Sequence, residues 1–285
     1  MRVRRGVPCI LALLSIPFAA EASGFVTGTD SVFIPYAGNV ANGQLTGSPQ
    51  INVGFNSGAS RVFTMDTGST GIVVSRDNYT FAPGATPGPA GQITYTSSGI
   101  ILNGYYYTST VQISGGASSV TASVPVLVVD SVTCVVNARD CTPDPTPHGV
   151  SMFGIGFGQE GSGQPDGTPD KNAFLNVTQI NGQSASPSQG YIVGSAGVTI
   201  GLTASNTAQF VPASQVALTW SNTLNDWNRT PAYVTAGGVT NPNGQPGTVL
   251  PDTGVSYMYL APYTGADVQK IADNVASGPC VQFGP

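Results

Sequence analysis

Two copies of the tripeptide Asp-Thr-Gly are the residues of this 285-residue chain that are best suited to chemistry. The first copy begins at Asp66 and the second at Asp252, and each lies between apolar segments. Burying two carboxylates is energetically costly unless the two groups face each other and share a proton. The pattern therefore predicts a carboxylate pair that performs general acid–base catalysis.

The elements that must position these residues are mainly strands. From Ile51 to Ser75 the pattern predicts strand, hairpin turn, strand, sharp turn and strand, with the first motif at the sharp turn. Gln92–Tyr95 and Ile100–Tyr107 predict a second hairpin. Further strands are predicted at Thr110–Ile113, Val124–Val129, Tyr191–Val193, Val198–Leu202, Val216–Trp220 and Ala232–Val234, and the best helix at Gly265–Ala276. Only two lysines and two glutamates are present, so good helix formers are scarce and the chain should be mainly β.

The residues around both motifs resemble the active-site motifs of the pepsin-like aspartic peptidases. Phe63–Thr70 is similar to the first family motif, and Leu250–Ser256 is similar to the second. A separation of 186 residues between the two aspartates fits one chain that carries both halves of the active site. Asn172–Asn176 and Thr248–Leu260 are most similar to bacterial-type enzymes, the aspartic peptidases of mycobacterial surface proteins.

The resemblance implies an all-β, bilobal fold: a pepsin-like double β-barrel with an active-site cleft between the lobes. The expected domains are a signal peptide at 1–22, an N-terminal lobe with the first motif and the flap at 23–190, and a partial C-terminal lobe with the second motif at 191–285.

The resemblance also assigns catalytic roles. Asp66 and Asp252 would activate a water molecule that hydrolyses peptide bonds of a polypeptide substrate, with no cofactor and no metal. Thr67 and Thr253 would hydrogen-bond across an approximate twofold axis, and Ser69 would donate to the outer oxygen of Asp66.

Three further elements complete the implied site. Gly68 and Gly254 would permit the tight backbone of the two loops. Tyr95, in a hairpin, resembles the flap tyrosine that closes over the substrate. Met152–Gly154 resembles the hydrophobic-hydrophobic-glycine element beneath the first catalytic loop.

Some features depart from the family pattern. Pro251 replaces an aliphatic residue, and Val255 has no hydroxyl at the position that matches Ser69. The sequence ends soon after Asp252, so we expect either a fragment or an incomplete C-terminal lobe that a partner or self-association completes.

The N-terminal residues predict export. A basic start, an apolar stretch from Val7 to Ala20 and a small-residue site predict a secretory signal peptide cut after Ala22. The apolar stretch is too short to span a bilayer, and no later segment approaches the required length. The expected product is secreted, periplasmic or on the cell surface, with no stable membrane span.

The cysteines fit an oxidising compartment. Cys134 and Cys141 are separated by a short loop and are expected to form a disulfide. Metal binding there would need further ligands, and His148 is the only histidine. Cys280 is either a free thiol or paired with a cysteine outside this sequence.

Charge and motifs exclude some functions and leave two alternatives to a peptidase open. A net charge of −5 and a sequence pI of about 4.5 argue against nucleic-acid binding, which needs clustered positive charge. The alternatives are a catalytically inactive pepsin-fold binding protein and a structural surface β-protein with distant aspartates. A serine hydrolase is disfavoured because there is no Gly-x-Ser-x-Gly motif and His148 lies in a predicted loop.

Overall fold

A computed structural model describes residues 27–138, 140–159, 164, 166–210, 220–236, 239–240, 247–250, 252–254 and 280–283. The signal peptide at 1–22, the helix at Gly265–Ala276 and the departures at Pro251 and Val255 fall outside these residues. Within them, nineteen strands accompany one four-residue α-helix, α1, at Ala204–Thr207. The all-β prediction is confirmed, whereas the domain boundaries remain predictions.

Strands β1 to β9 form most of the first part of the chain. They are β1 Val32–Pro35, β2 Gly38–Ala41, β3 Gln44–Phe55, β4 Arg61–Asp66, β5 Thr70–Ser75, β6 Ala90–Tyr95, β7 Ile100–Gly115, β8 Ser118–Cys134 and β9 Ser151–Ile155. Strands β8, β5, β9, β4, β3 and β7 are neighbours in that order, and β7 pairs again with β8. This part of the chain is therefore a closed six-stranded barrel, which leaves its strands without free edges.

The barrel core follows from strand alternation. On β4, Val62 is exposed whereas Phe63 and Met65 are fully buried. All six residues of β5 are buried, because β8 and β9 flank this strand and apolar residues cover both faces. Val73 belongs to a second cluster, which lies under the β6–β7 hairpin and also contains Ile93, Leu102, Tyr106, Leu127 and Val129.

The remaining strands lead towards the second motif. They are β10 Val177–Ile180, β11 Gln183–Ser184, β12 Tyr191–Val193, β13 Gly197–Ile200, β14 Trp220–Ser221, β15 Asp226–Trp227, β16 Thr230–Ala236, β17 Val239–Thr240, β18 Gly247–Val249 and β19 Cys280–Phe283. Strands β12 and β13 form a small sheet with β1, and β16 pairs with β17, β18 and β19. No helix in the described part of the chain is long and apolar enough to cross a membrane.

Candidate active site

The first aspartate is placed by the barrel. Strand β4 ends at Asp66, whose neighbour on the parallel strand β9 is Gly154. A Cβ at Gly154 would lie 2.7 Å from the carbonyl oxygen of Gly71 and 2.8 Å from that of Ser69. Only glycine fits this close approach, so β9 packs directly beneath the first motif, as the resemblance implied.

The second aspartate follows a similar strand. In the first part of the chain, β4 is paired antiparallel with β3. In the second part, β18 is paired antiparallel with β16, and Thr230 lies opposite Val249, three residues before Asp252. Each Asp-Thr-Gly turn therefore follows a strand that is paired antiparallel with an earlier strand of the chain.

The two turns are joined by their threonines. The Thr67 backbone N–H donates to Thr253 Oγ1 at 3.1 Å, and the Thr253 backbone N–H donates to Thr67 Oγ1 at 3.0 Å. Thr253 Oγ1 also donates to the Met65 carbonyl oxygen at 3.0 Å. The predicted hydrogen bonds across an approximate twofold axis are thus present in the geometry.

The glycines bring the carboxylates together. A Cβ at Gly68 would overlap the carboxyl group of Asp252, and a Cβ at Gly254 would lie 2.7 Å from Asp66 Oδ1. Each glycine therefore makes room for the opposite aspartate. The close approach of the opposite carboxyl group explains glycine at both positions more specifically than the tight backbone that the sequence predicted.

The environment of Asp66 favours its protonated form. Asp66 is 3% exposed, and burial raises its pKa to about 6. The hydrogen bond from Ser69 opposes this rise in pKa, while the charge of Asp252 and a hydrogen bond with it add to the rise. Two interacting carboxyl groups of this kind hold one proton between them over part of the pH range.

Hydrogen bonds orient each carboxylate within its own loop. Ser69 Oγ donates to Asp66 Oδ2 at 2.6 Å, and the Gly68 N–H donates to Asp66 Oδ1 at 2.7 Å. The Gly254 N–H donates to Asp252 Oδ1 at 2.7 Å. The hydrogen bond from Ser69 to Asp66 is the one that the resemblance implied.

Tyr95 lies at the end of β6, where the chain turns into β7. The N–H groups of Ser98 and Gly99 both donate to the Tyr95 carbonyl oxygen and form this turn. The phenol oxygen of Tyr95 is buried. Burial raises the pKa of Tyr95, and the charges of Asp66 and Asp252 raise it further. Tyr95 therefore lies near the carboxylate pair, and its role as a flap residue remains a prediction.

The predicted disulfide between Cys134 and Cys141 is confirmed, and it adjoins the hairpin turn that carries Tyr95. Cys134 is paired with Ile100 across β8 and β7. Inside the disulfide loop, the Val135 N–H donates to the Gly99 carbonyl oxygen at 2.9 Å, and the Asp140 N–H donates to that of Ser98 at 3.2 Å. The loop thus supports the turn from one side.

Sequence reasoning assigned no role to three residues that support the first motif. The Thr70 N–H donates to Gln164 Oε1 at 3.1 Å, and Thr70 Oγ1 donates to the Gly156 carbonyl oxygen at 2.7 Å. The Gly156 N–H donates to the Ser69 carbonyl oxygen at 2.7 Å. Their roles depend on contacts across the fold, and no sequence pattern marked Gln164; Gly156 follows the hydrophobic-hydrophobic-glycine element by two residues.

His148 lies away from the motifs. Its Nδ1 is 3.0 Å from Asp77 Oδ2, and its side chain is exposed, as predicted. In the part of the chain that the structure describes, no group of three or more His, Cys, Asp or Glu residues is placed to hold a metal ion.

Comparisons with known proteins give little further support. No family model matches the sequence, and no curated protein matches it. Among solved structures, the chain is similar to the aspartic proteinase from Irpex lacteus, with 14% identity and a TM-score of 0.42. The similarity covers 79% of this chain but only 63% of the length of that proteinase chain. The comparisons lend no support to a bacterial subgroup.

Proposed function

We propose that this chain is an aspartic endopeptidase of the pepsin-like class. One observation carries the proposal: Asp66 and Asp252 face each other, with each motif glycine against the opposite carboxyl group. The reciprocal threonine hydrogen bonds support it, because they hold the two loops in one arrangement. A structural protein has no need of a buried carboxyl group, Asp66, that interacts with a second, half-buried one, Asp252.

The proposed mechanism uses the single proton of the pair. The ionised carboxylate takes a proton from a water molecule, whose oxygen attacks the scissile carbonyl carbon. The protonated carboxyl group gives its proton to the carbonyl oxygen. The tetrahedral intermediate collapses as the first carboxyl group passes the proton from water to the leaving nitrogen, and a hydroxyl of the intermediate returns a proton to the second carboxylate. No covalent bond to the enzyme forms. Tyr95 would act as the flap residue that covers the substrate and excludes bulk water.

Export is part of the proposal. The Cys134–Cys141 disulfide fits an oxidising compartment such as the periplasm or the cell exterior, and the N-terminal sequence has the pattern of a signal peptide. The substrate would then be a polypeptide outside the cytoplasm.

Hydrolysis of an acid-denatured protein tests the proposal. The wild-type chain should cleave the substrate at acidic pH, and pepstatin should inhibit the cleavage. Asp66→Asn and Asp252→Asn should each lower kcat by about 10³-fold or more, because each removes one member of a cooperating pair. Asp130→Asn, at an exposed ion pair with Arg76, is the matched control and should retain activity. A folded wild-type protein without pepstatin-sensitive cleavage would support a binding role instead.

A further inference from the structure

A second buried carboxylate, Asp226, lies outside both motifs. Asp226 is 3% exposed and lies on β15. Its Oδ2 accepts a hydrogen bond from the Gly158 N–H at 2.6 Å, and its Oδ1 accepts one from the Trp227 N–H at 2.7 Å. Both carboxylate oxygens therefore bind the backbone, and one of these bonds joins segments that are 68 residues apart in sequence.

Gly158 is held from two sides. Asp226 accepts from its N–H, while Arg229 Nε donates to its carbonyl oxygen at 2.9 Å. Gly158 has a φ of +65°, and a Cβ there would lie 3.0 Å from Arg229 Cγ. Both its conformation and its surroundings favour glycine at this position.

The other end of the same short segment is attached to the first motif. Two residues before Gly158, Gly156 donates to the Ser69 carbonyl oxygen and accepts from Thr70 Oγ1, each at 2.7 Å. A Cβ at Gly156 would also overlap the Thr67 carbonyl oxygen. Residues 156–158 are therefore a strap, with one end fixed to the loop that carries Asp66.

The segment that holds the strap leads directly to the second motif. Arg229 is followed by β16, whose first residue, Thr230, lies opposite Val249 on β18, and β18 precedes Asp252. Hydrogen bonds thus connect Ser69 through the strap to Asp226. The chain continues through Arg229 to β16, and the pairing of β16 with β18 reaches Val249, three residues before Asp252. This connection is separate from the direct Thr67–Thr253 contact.

We propose, on the basis of the aspartic peptidase function proposed above, that Asp226 is a positioning residue that fixes the separation of the Asp66 and Asp252 carboxylates. A carboxylate suits this role because it accepts two N–H groups and donates none. In Asp226→Asn, one oxygen is replaced by an NH₂ group that faces the N–H donor of either Gly158 or Trp227, so Asp226 no longer holds the strap and its own strand together. Small misplacements of catalytic groups reduce turnover more than substrate binding.

The experiment compares Asp226→Asn with the control Asp130→Asn. For Asp226→Asn we expect kcat to fall by about 10- to 100-fold with little change in KM. The alkaline limb of the kcat profile should move to lower pH, because carboxylates that lie farther apart repel each other less. Among the described residues, the titratable groups that face Asp66 are Asp252 and Tyr95. Tyr191 and Arg229 share the surroundings of Asp226. Burial raises the pKa of Tyr191 and the charge of Asp226 raises it further, so Asp226→Asn removes that second contribution.

A second readout does not depend on activity. Carboxyl ¹³C NMR of aspartate-labelled protein measures the titration of Asp66, whose pKa should fall in Asp226→Asn and stay unchanged in Asp130→Asn. If Asp226→Asn does not fold, Arg229→Lys, which removes the Nε donor on the other side of Gly158, is measured in the same way. An unchanged Asp66 titration in a folded variant would overturn the inference. Absence of hydrolysis by the wild type would overturn the proposed function alone, since the NMR comparison would still decide the role of Asp226.

Discussion

At the scale of single residues, the hydroxyl of Ser69 opposes the rise in the pKa of Asp66 that burial causes. It donates to Asp66 and lowers a pKa that burial raises to about 6. Ser69→Ala removes this donor, so the pKa of Asp66 should rise by about one unit, the equivalent of one hydrogen bond. The alkaline limb of kcat/KM against pH should move to higher pH by a similar amount. A limb that stays in place would show that this hydroxyl does not set the upper pKa of the pair.

The two motif threonines provide a second prediction at this scale. Thr67→Val and Thr253→Val keep the side-chain shape but remove the hydroxyl that each contributes to the opposite loop. Each should lower the free energy of unfolding by about 1–2 kcal/mol, and the double variant should lose less than the sum because the hydroxyls share partners. Chemical denaturation measures these values. Thr178→Val, which removes an exposed bond to the Thr121 carbonyl oxygen, is the control and should change little.

At the scale of elements, the disulfide loop and the flap turn form one unit. Replacing Cys134 and Cys141 together with serine should lower the free energy of unfolding by about 2 kcal/mol, the value expected for a short closed loop. The amides of Val135 and Asp140, which donate to the turn, should also exchange faster with deuterium. Unchanged exchange in the double variant would show that the turn is held without the disulfide. Amides on β5, inside the barrel, serve as the internal control.

Sequence patterns located the first motif well because the information is local. The strand, turn and strand order of β3, β4 and β5 is confirmed, since apolar alternation and turn residues determine it. The pattern divided the long hairpin into shorter pieces: Thr110–Ile113 is part of β7, and Val124–Val129 is part of β8. Single polar residues interrupt the apolar alternation in β7 and β8, so local propensity predicts shorter strands. The continuous pairing of β7 with β8 stabilises both strands over their full length.

At the scale of the whole molecule, the raised pKa of Asp66 links stability to pH. Its pKa is about 6 in the folded protein against an ordinary value of 3.8, so the folded state binds more protons between these limits. The contribution of Asp66 to the free energy of unfolding is fully present below about pH 4. It is lost as the pH rises through 6, which lowers the free energy of unfolding by about 2–3 kcal/mol. Urea unfolding of the wild type at pH 4 and pH 7 should show this decrease. Asp66→Asn should reduce it, whereas an equal decrease in Asp66→Asn would contradict the linkage.

The same scale explains which site residues the sequence did not predict. The aspartates, threonines and glycines of the motifs are adjacent in sequence, so a repeated tripeptide was enough to find them. Gln164 and Asp226 act through the backbone of Thr70 and Gly158, which lie far from them in sequence. Such contacts exist only once the barrel is closed and distant segments of the chain pack against each other. A single sequence carries no pattern for them.

The central claim is that Asp66 and Asp252 share one proton, and a carboxyl ¹³C NMR titration of the wild-type protein tests it most directly. The Asp66 resonance should show a step near pH 6, and the Asp252 resonance should respond to the same step because the two groups share the proton. Asp252→Asn should remove this coupling and leave Asp66 with a single transition. Two independent transitions near the ordinary aspartate pKa of about 4 in the wild type would contradict the account.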